Sequence, residues 1–127
     1  MTLVDTNILL RWLLADDKVL GRKAEQLINN APAGELLITD VVLAEVFYVM
    51  RGKGYARTVI AEALQALLQW PAFAFEDKAV LEQLTDVIIA HRLDFVDCFL
   101  LARAQRTGEP LHTFDKALQK AHDTQRI

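Results

Sequence analysis

The chain has 127 residues, 53% of them hydrophobic, and a formal net charge of −3, which fits one compact domain over residues 1–127 and leaves no length for a second. The acidic balance excludes a broad basic footprint for non-specific nucleic-acid binding, while leaving room for a local basic patch. A single cysteine, Cys98, excludes an intrachain disulfide framework, and no apolar run approaches the roughly 20 residues that span a bilayer. With no basic leader at the start, a soluble, unexported protein in a reducing cytoplasm is expected.

Hydrophobic periodicity predicts a strand at Thr2 to Asp5, helical pattern from Asn7 to Leu14 and from Asp17 to Asn29, and a strand at Glu35 to Thr39. Two helices follow, at about Asp40 to Met50 and near Thr58 to Gln69. The second places Val59, Ile60, Ala63, Leu64, Leu67 and Leu68 on one face. A short strand at Phe73 to Phe75 leads to helices from Asp77 to Arg92 and from Asp94 to Arg106. A strand at Leu111 to Thr113 and a helix from Asp115 complete the series. The three prolines, Pro32, Pro71 and Pro110, fall between these segments. Short apolar strands separated by helices predict an α/β fold with a buried parallel sheet and helices on both faces.

Four acidic residues fall where the surrounding sequence predicts burial. Glu45 is the only formal charge between Val41 and Met50, and Asp97 the only one between Phe95 and Ala102. Asp5 ends the first strand and Asp115 follows the Leu111 to Thr113 strand, so both emerge at the carboxyl edge of the sheet, where ligands collect in such folds. Glu45, early in the helix after the second strand, and Asp97, in the first turn of the helix near Asp94, can reach the same edge. Buried carboxylates brought together without a cation would be driven toward their neutral forms, so a bound metal is the simpler way to keep them ionised. Asp94, three residues before Asp97, shares its helix face and is a fifth candidate. Each acid also has an ordinary reading: Asp5, Asp94 and Asp115 as helix caps or Asx turns, and Glu45 and Asp97 as structural carboxylates.

The segments Leu3-Val4-Asp5-Thr6-Asn7, Glu45 within its helix, Asp94-Phe95-Val96-Asp97-Cys98-Phe99-Leu100 and His112-Thr113-Phe114-Asp115-Lys116 together resemble PIN-domain ribonucleases. The nearest resemblance is to the VapC-like toxins of bacterial toxin–antitoxin pairs. It covers nearly the whole chain, in order and spacing. Two features depart from the family pattern: Cys98 stands where alanine is common, and the chain closes with the polar stretch 121–127 instead of a final apolar strand. The resemblance implies a three-layer α/β/α sandwich whose central, mostly parallel sheet has four or five strands.

The resemblance further implies metal-dependent cleavage of RNA phosphodiester bonds, with Asp5, Glu45, Asp97 and Asp115 as the catalytic metal site and Asp94 as an accessory. Thr6, Asn7 and Thr113 are the small polar groups expected to orient a carboxylate or water beside it. Carboxylate oxygens suit one or two Mg²⁺ ions, with Mn²⁺ as a substitute. Arg51, Lys53 and Arg57 are candidates for phosphate contacts and Tyr55 for base stacking; a solvated interhelical loop is the competing reading. A cognate antitoxin, a homodimer and a tRNA or ribosomal RNA substrate are also implied. Two other function classes compete: a phospho-accepting receiver-type domain, which fits less well because Thr6-Asn7 follows Asp5 in place of a second acid and two helices separate the second and third strands, and a catalytically inactive PIN-like binding module.

The histidines His91, His112 and His122 lack the spacing of a zinc site, and His112 is expected to pack on its strand. Trp12, Trp70, Phe47, Phe73, Phe75 and Phe99 read as core or interface, and Cys98 as a small core residue.

Overall fold

The computed structural model describes residues 1–124. Three strands, β1 (Thr2–Leu3), β2 (Leu36–Ile38) and β3 (Phe73–Phe75), form a parallel sheet in the order β1-β2-β3. Thr2 pairs with Leu36, and Leu36 in turn with Phe73. Each crossover is a helix pair: α1 (Thr6–Leu14) with α2 (Lys18–Asn30), then α3 (Asp40–Gly52) with α4 (Arg57–Gln69). The helices α5 (Lys78–Ala90), α6 (Phe95–Thr107) and α7 (Lys116–Thr124) follow β3. All carboxyl ends of a parallel sheet lie on one edge, so Asp5, Asp40, Glu76 and Asp77 are delivered there by chain direction alone.

Local chemistry sets the helix ends. The side chains of Asp17, Thr39, Asp77 and Asp115 accept bonds from the backbone N–H groups of Leu20, Val42, Val80 and Leu118, which the first turns would otherwise leave unpaired. At the far end of α6, Gly108 takes φ 75° and donates its N–H to the Ala104 carbonyl, a left-handed stop that glycine adopts without Cβ strain.

One hydrophobic core holds the helices to the sheet. Phe47, Met50, Ile60, Leu67, Ile88 and Leu101 are fully buried, and Phe47 meets Phe95 of α6 with ring centroids 5.3 Å apart. Cys98 is buried in the same core, as expected, and burial pushes its thiol up while the nearby Arg57 opposes that shift.

The fourth strand predicted at Leu111 to Thr113 does not form, and the sheet has three strands among the described residues, not the four or five expected. Pro110 has no N–H to donate, Leu111 is only half-buried, and its neighbour His112 points to solvent where packing was expected. The free edge offered by β1 is short, and Leu3 on it is 73% exposed, so pairing there would bury little. A fifth strand in the polar close of the chain falls partly on α7 and otherwise on residues 125–127, outside those described. Among the described residues, no helix is long and apolar enough to cross a membrane.

Candidate active site

The expectation that all four acids are buried is not met: Asp5, Glu45 and Asp115 are exposed, and Asp97 is half-buried. For Glu45 the reason lies in the helix. Along α3 the buried positions are Leu43, Val46, Phe47 and Met50, a stripe at the spacing of one helix face. Glu45 lies on the other side with Val41 and Tyr48, which are 79% and 38% exposed. An apolar run therefore surrounds this carboxylate in sequence without enclosing it in space.

Asp97 retains the electrostatic signature. Its carboxyl is pushed up first by partial burial, then by the charge of Asp115, then by that of Asp94. The charge of Asp115, eighteen positions away at the start of α7, thus reaches Asp97 on α6. Asp115 does cap α7, with Oδ1 accepting from the Leu118 N–H at 2.9 Å, and its own N–H donates to Thr113 Oγ1 at 3.0 Å. The cap occupies one oxygen and orients the group without consuming it.

Asp94 is more heavily engaged. It makes no cap bond to α6; instead Oδ1 accepts from Arg51 at 2.9 Å and Oδ2 from the Tyr48 hydroxyl at 3.1 Å. These bonds tie α3 to α6, and burial together with Asp94 pushes the Tyr48 phenol up.

Asp5 stands at the N-terminus of α1, yet its carboxylate makes no cap bond, so the capping reading does not account for it. Thr6 and Asn7 continue from it into an open cleft of about 380 Å³, lined also by Arg11, Asp16, Glu45 and Lys53. Thr6 is 4% exposed, and its buried hydroxyl oxygen has no hydrogen-bond partner. A buried polar atom without a partner is uncommon and asks for one.

The basic candidates separate. Arg51 is held by Asp94. Arg57 is half-buried, donates to the carbonyls of Ile88 and His91 at 3.1 and 2.8 Å, and lies over the Phe47 ring, which is the work of a packing residue. Lys53 lines the cleft beside Glu45. Tyr55 is exposed. Arg11, which sequence reasoning passed over, shares that cleft and is paired with Asp16 at 2.9 Å. Its signal was available: a lone charge in the apolar stretch Ile8 to Leu14.

Sequence reasoning also missed a second acidic group at the strand edge. The Asp40 N–H donates to Glu76 Oε2 at 3.0 Å, and Asp40 Oδ1 is buried without a partner. Its carboxyl is pushed up to about 6 by burial, then by a hydrogen bond with the Glu76 side chain and by the charges of Glu76 and Asp77, with Arg103 opposing. The folded protein therefore holds this proton to higher pH than the unfolded chain does. The stabilisation is complete below the ordinary value of 3.8 and is lost as pH rises through about 6. Asp40→Asn should flatten the pH dependence of the melting temperature across that window and raise it at neutral pH by roughly 2–5 °C. Circular dichroism melts at stepped pH check this, and an unchanged profile in the variant would show that Asp40 is not the titrating group.

Among the described residues, no three His, Cys, Asp or Glu side chains converge closely enough to hold a metal ion by themselves. The donor set still fits a hard divalent cation, which is usually bound through one or two carboxylates, water and substrate phosphate rather than by a closed protein cage. Asp97 and Asp115 are the carboxylates of this kind that electrostatics connects.

Carboxylates at the carboxyl edge of a parallel α/β sheet stand where ligands collect in such folds. The profile of the PIN domain matches residues 2–123, and the chain belongs to the PIN-domain family. PIN domains have an α/β/α fold and are typically nucleases that bind divalent metals such as Mg²⁺ in the active site. Neither a curated protein nor a solved structure matches the chain.

Proposed function

We propose that this chain, as a single domain over residues 1–127, is a metal-dependent endoribonuclease and the toxin of a toxin–antitoxin pair, acting in the cytoplasm on tRNA or ribosomal RNA. The observation that carries the reading is the Asp97 carboxyl, pushed up by partial burial and then by the charge of Asp115, in a chain of PIN family membership. Asp5, Glu45, Asp97 and Asp115 are the proposed ligands of one or two Mg²⁺ or Mn²⁺ ions. An ion bound there would supply Lewis acidity at the phosphoryl oxygen and a hydroxide at neutral pH.

The residues of the chain do the rest. The Asp115 cap and the Thr113 bond fix one carboxylate in place. Partial burial of Asp97 lowers the local dielectric, so each charge in the site acts more strongly. Thr6 and Asn7 orient groups beside Asp5, and Lys53 attracts phosphate beside Glu45. Asp94 serves as a positioning residue, fixing the start of α6 against α3 through Tyr48 and Arg51. Exposed apolar side chains, Val41 and Tyr48 on α3 and Val96 and Leu100 on α6, support the antitoxin and homodimer parts of the reading.

Purified protein freed of any bound partner should degrade total RNA with Mg²⁺ or Mn²⁺, stop on addition of EDTA and resume when metal is restored. Cleavage indifferent to EDTA overturns the metal-dependent reading. The alternative is a PIN-like module that binds RNA without cutting it. Retention of intact RNA at all metal concentrations would establish that alternative.

A further inference from the structure

Phe114 is fully exposed, at 106% of the reference value, and it immediately precedes Asp115. Its position is nevertheless held: Thr113 accepts the Asp115 N–H at 3.0 Å, and Asp115 accepts the Leu118 N–H at 2.9 Å, so hydrogen bonds pin the turn that carries the ring. The ring borders an open cleft of about 500 Å³ that Asp115, Lys116, Gln119, Lys120 and Asp123 also line, with the Asp123 carboxylate accepting from the Gln119 amide at 2.8 Å. Lys116 and Lys120 are four residues apart on α7, so both rise from one helix face. Among the described residues neither forms an ion pair.

A bare aromatic ring sharing a cleft with unpaired cations is the combination that grips single-stranded nucleic acid, the ring taking a base and the ammonium groups the backbone. We infer that Phe114 stacks on an unpaired base of the substrate while Lys116 and Lys120 hold adjacent phosphates, a subsite that leads the strand to Asp115. The inference rests on the nuclease reading for its substrate class and adds the requirement that the substrate be single-stranded at this point. A base within a duplex is already stacked on its neighbours and cannot lie on the ring. Glu45 and Lys53 line a separate cleft, so the subsite makes a demand on binding distinct from theirs.

Binding is measured in an Asp97→Asn background with Mg²⁺ present, by fluorescence anisotropy of a short labelled RNA in single-stranded and duplex forms. Phe114→Ala should weaken single-strand binding about tenfold, while Phe114→Trp retains it and adds an indole emission quenched by RNA. Lys116→Gln and Lys120→Gln should each lower the salt dependence of log K by roughly 0.7. Because Phe114 is exposed, its variants should melt with the parent, which separates lost binding from lost fold. Single-strand affinity unchanged in Phe114→Ala, or duplex bound as tightly as single strand, overturns the subsite. RNA cleavage by the wild-type chain is scored separately, so a nuclease that binds normally without Phe114 refutes this inference and leaves the function standing.

Discussion

Asp97→Asn should lower the rate of RNA cleavage about a thousandfold and leave the protein at least as stable as the wild type. The rate loss follows from removing a charge of the proposed metal site: several kcal/mol of charge stabilisation in the transition state, taken as roughly 4 kcal/mol, corresponds to about three powers of ten. The stability gain follows from the same geometry read in the other direction. Burial and the charges of Asp115 and Asp94 disfavour ionised Asp97 in the fold, so the neutral, isosteric amide removes a repulsion that the unfolded chain does not feel. Activity and stability therefore move in opposite directions, a signature of a site held together against its own electrostatics. Single-turnover cleavage and thermal melts on the same preparation read both. A variant that loses activity and melts well below the wild type would assign Asp97 a structural role.

The largest effect on stability should come from Phe47→Ala. Phe47 is 0% exposed, meets Tyr48 and Phe95 at centroid distances of 5.7 and 5.3 Å, and carries the Arg57 guanidinium 5.7 Å above its ring. Truncating a buried phenylalanine costs about 3–5 kcal/mol, a transfer loss plus the cavity left behind. For a domain of this size that lowers the melting temperature by roughly 10–20 °C. The damage should extend to the site, since this ring joins α3, which carries Glu45, to α6, which carries Asp97. Phe47→Leu refills much of the space and should lose less than half as much. Circular dichroism melts of both variants check the order, and an alanine variant melting with the wild type would show that the ring does not bind the two helices.

The legible parts of the fold were those with strong local signals. The strand at Phe73 to Phe75 matches expectation at both ends, because the four apolar residues Ala72 to Phe75 lie between Pro71 and the Glu76-Asp77 pair. The helices were recovered with ends shifted by a residue or two, as frayed termini permit. The Leu111 to Thr113 segment failed because a strand needs a partner edge as well as an apolar run, and β1 offers a short, exposed one. Burial of the acids failed for a geometric reason. A run of apolar neighbours does not say which direction a helical residue faces, and Glu45 faces outward with Val41 and Tyr48.

Long-range pairings were invisible for the same reason. Nothing in sequence joins Asp40 to Glu76, thirty-six positions apart, or Arg57 to the carbonyls of Ile88 and His91. Of the candidate site, Asp97 feels the charge of Asp115, and Glu45 shares a cleft with Thr6 and Asn7. Arg51 and Arg57, candidates in sequence for phosphate contacts with a solvated loop as the competing reading, make bonds within the protein.

The most direct test of the acidic edge as a metal-dependent nuclease site is the single-turnover rate on one defined single-stranded RNA as Mg²⁺ is titrated. Wild type is compared with Asp97→Asn and with Asp86→Asn, an exposed carboxylate on α5 that lines a different cleft with Gln65, Gln69 and Lys78. The expected result is metal-saturable cleavage by wild type and by Asp86→Asn, with Asp97→Asn about a thousandfold slower at every metal concentration. Equal rates for Asp97→Asn and wild type, or a rate that does not respond to Mg²⁺, would contradict it.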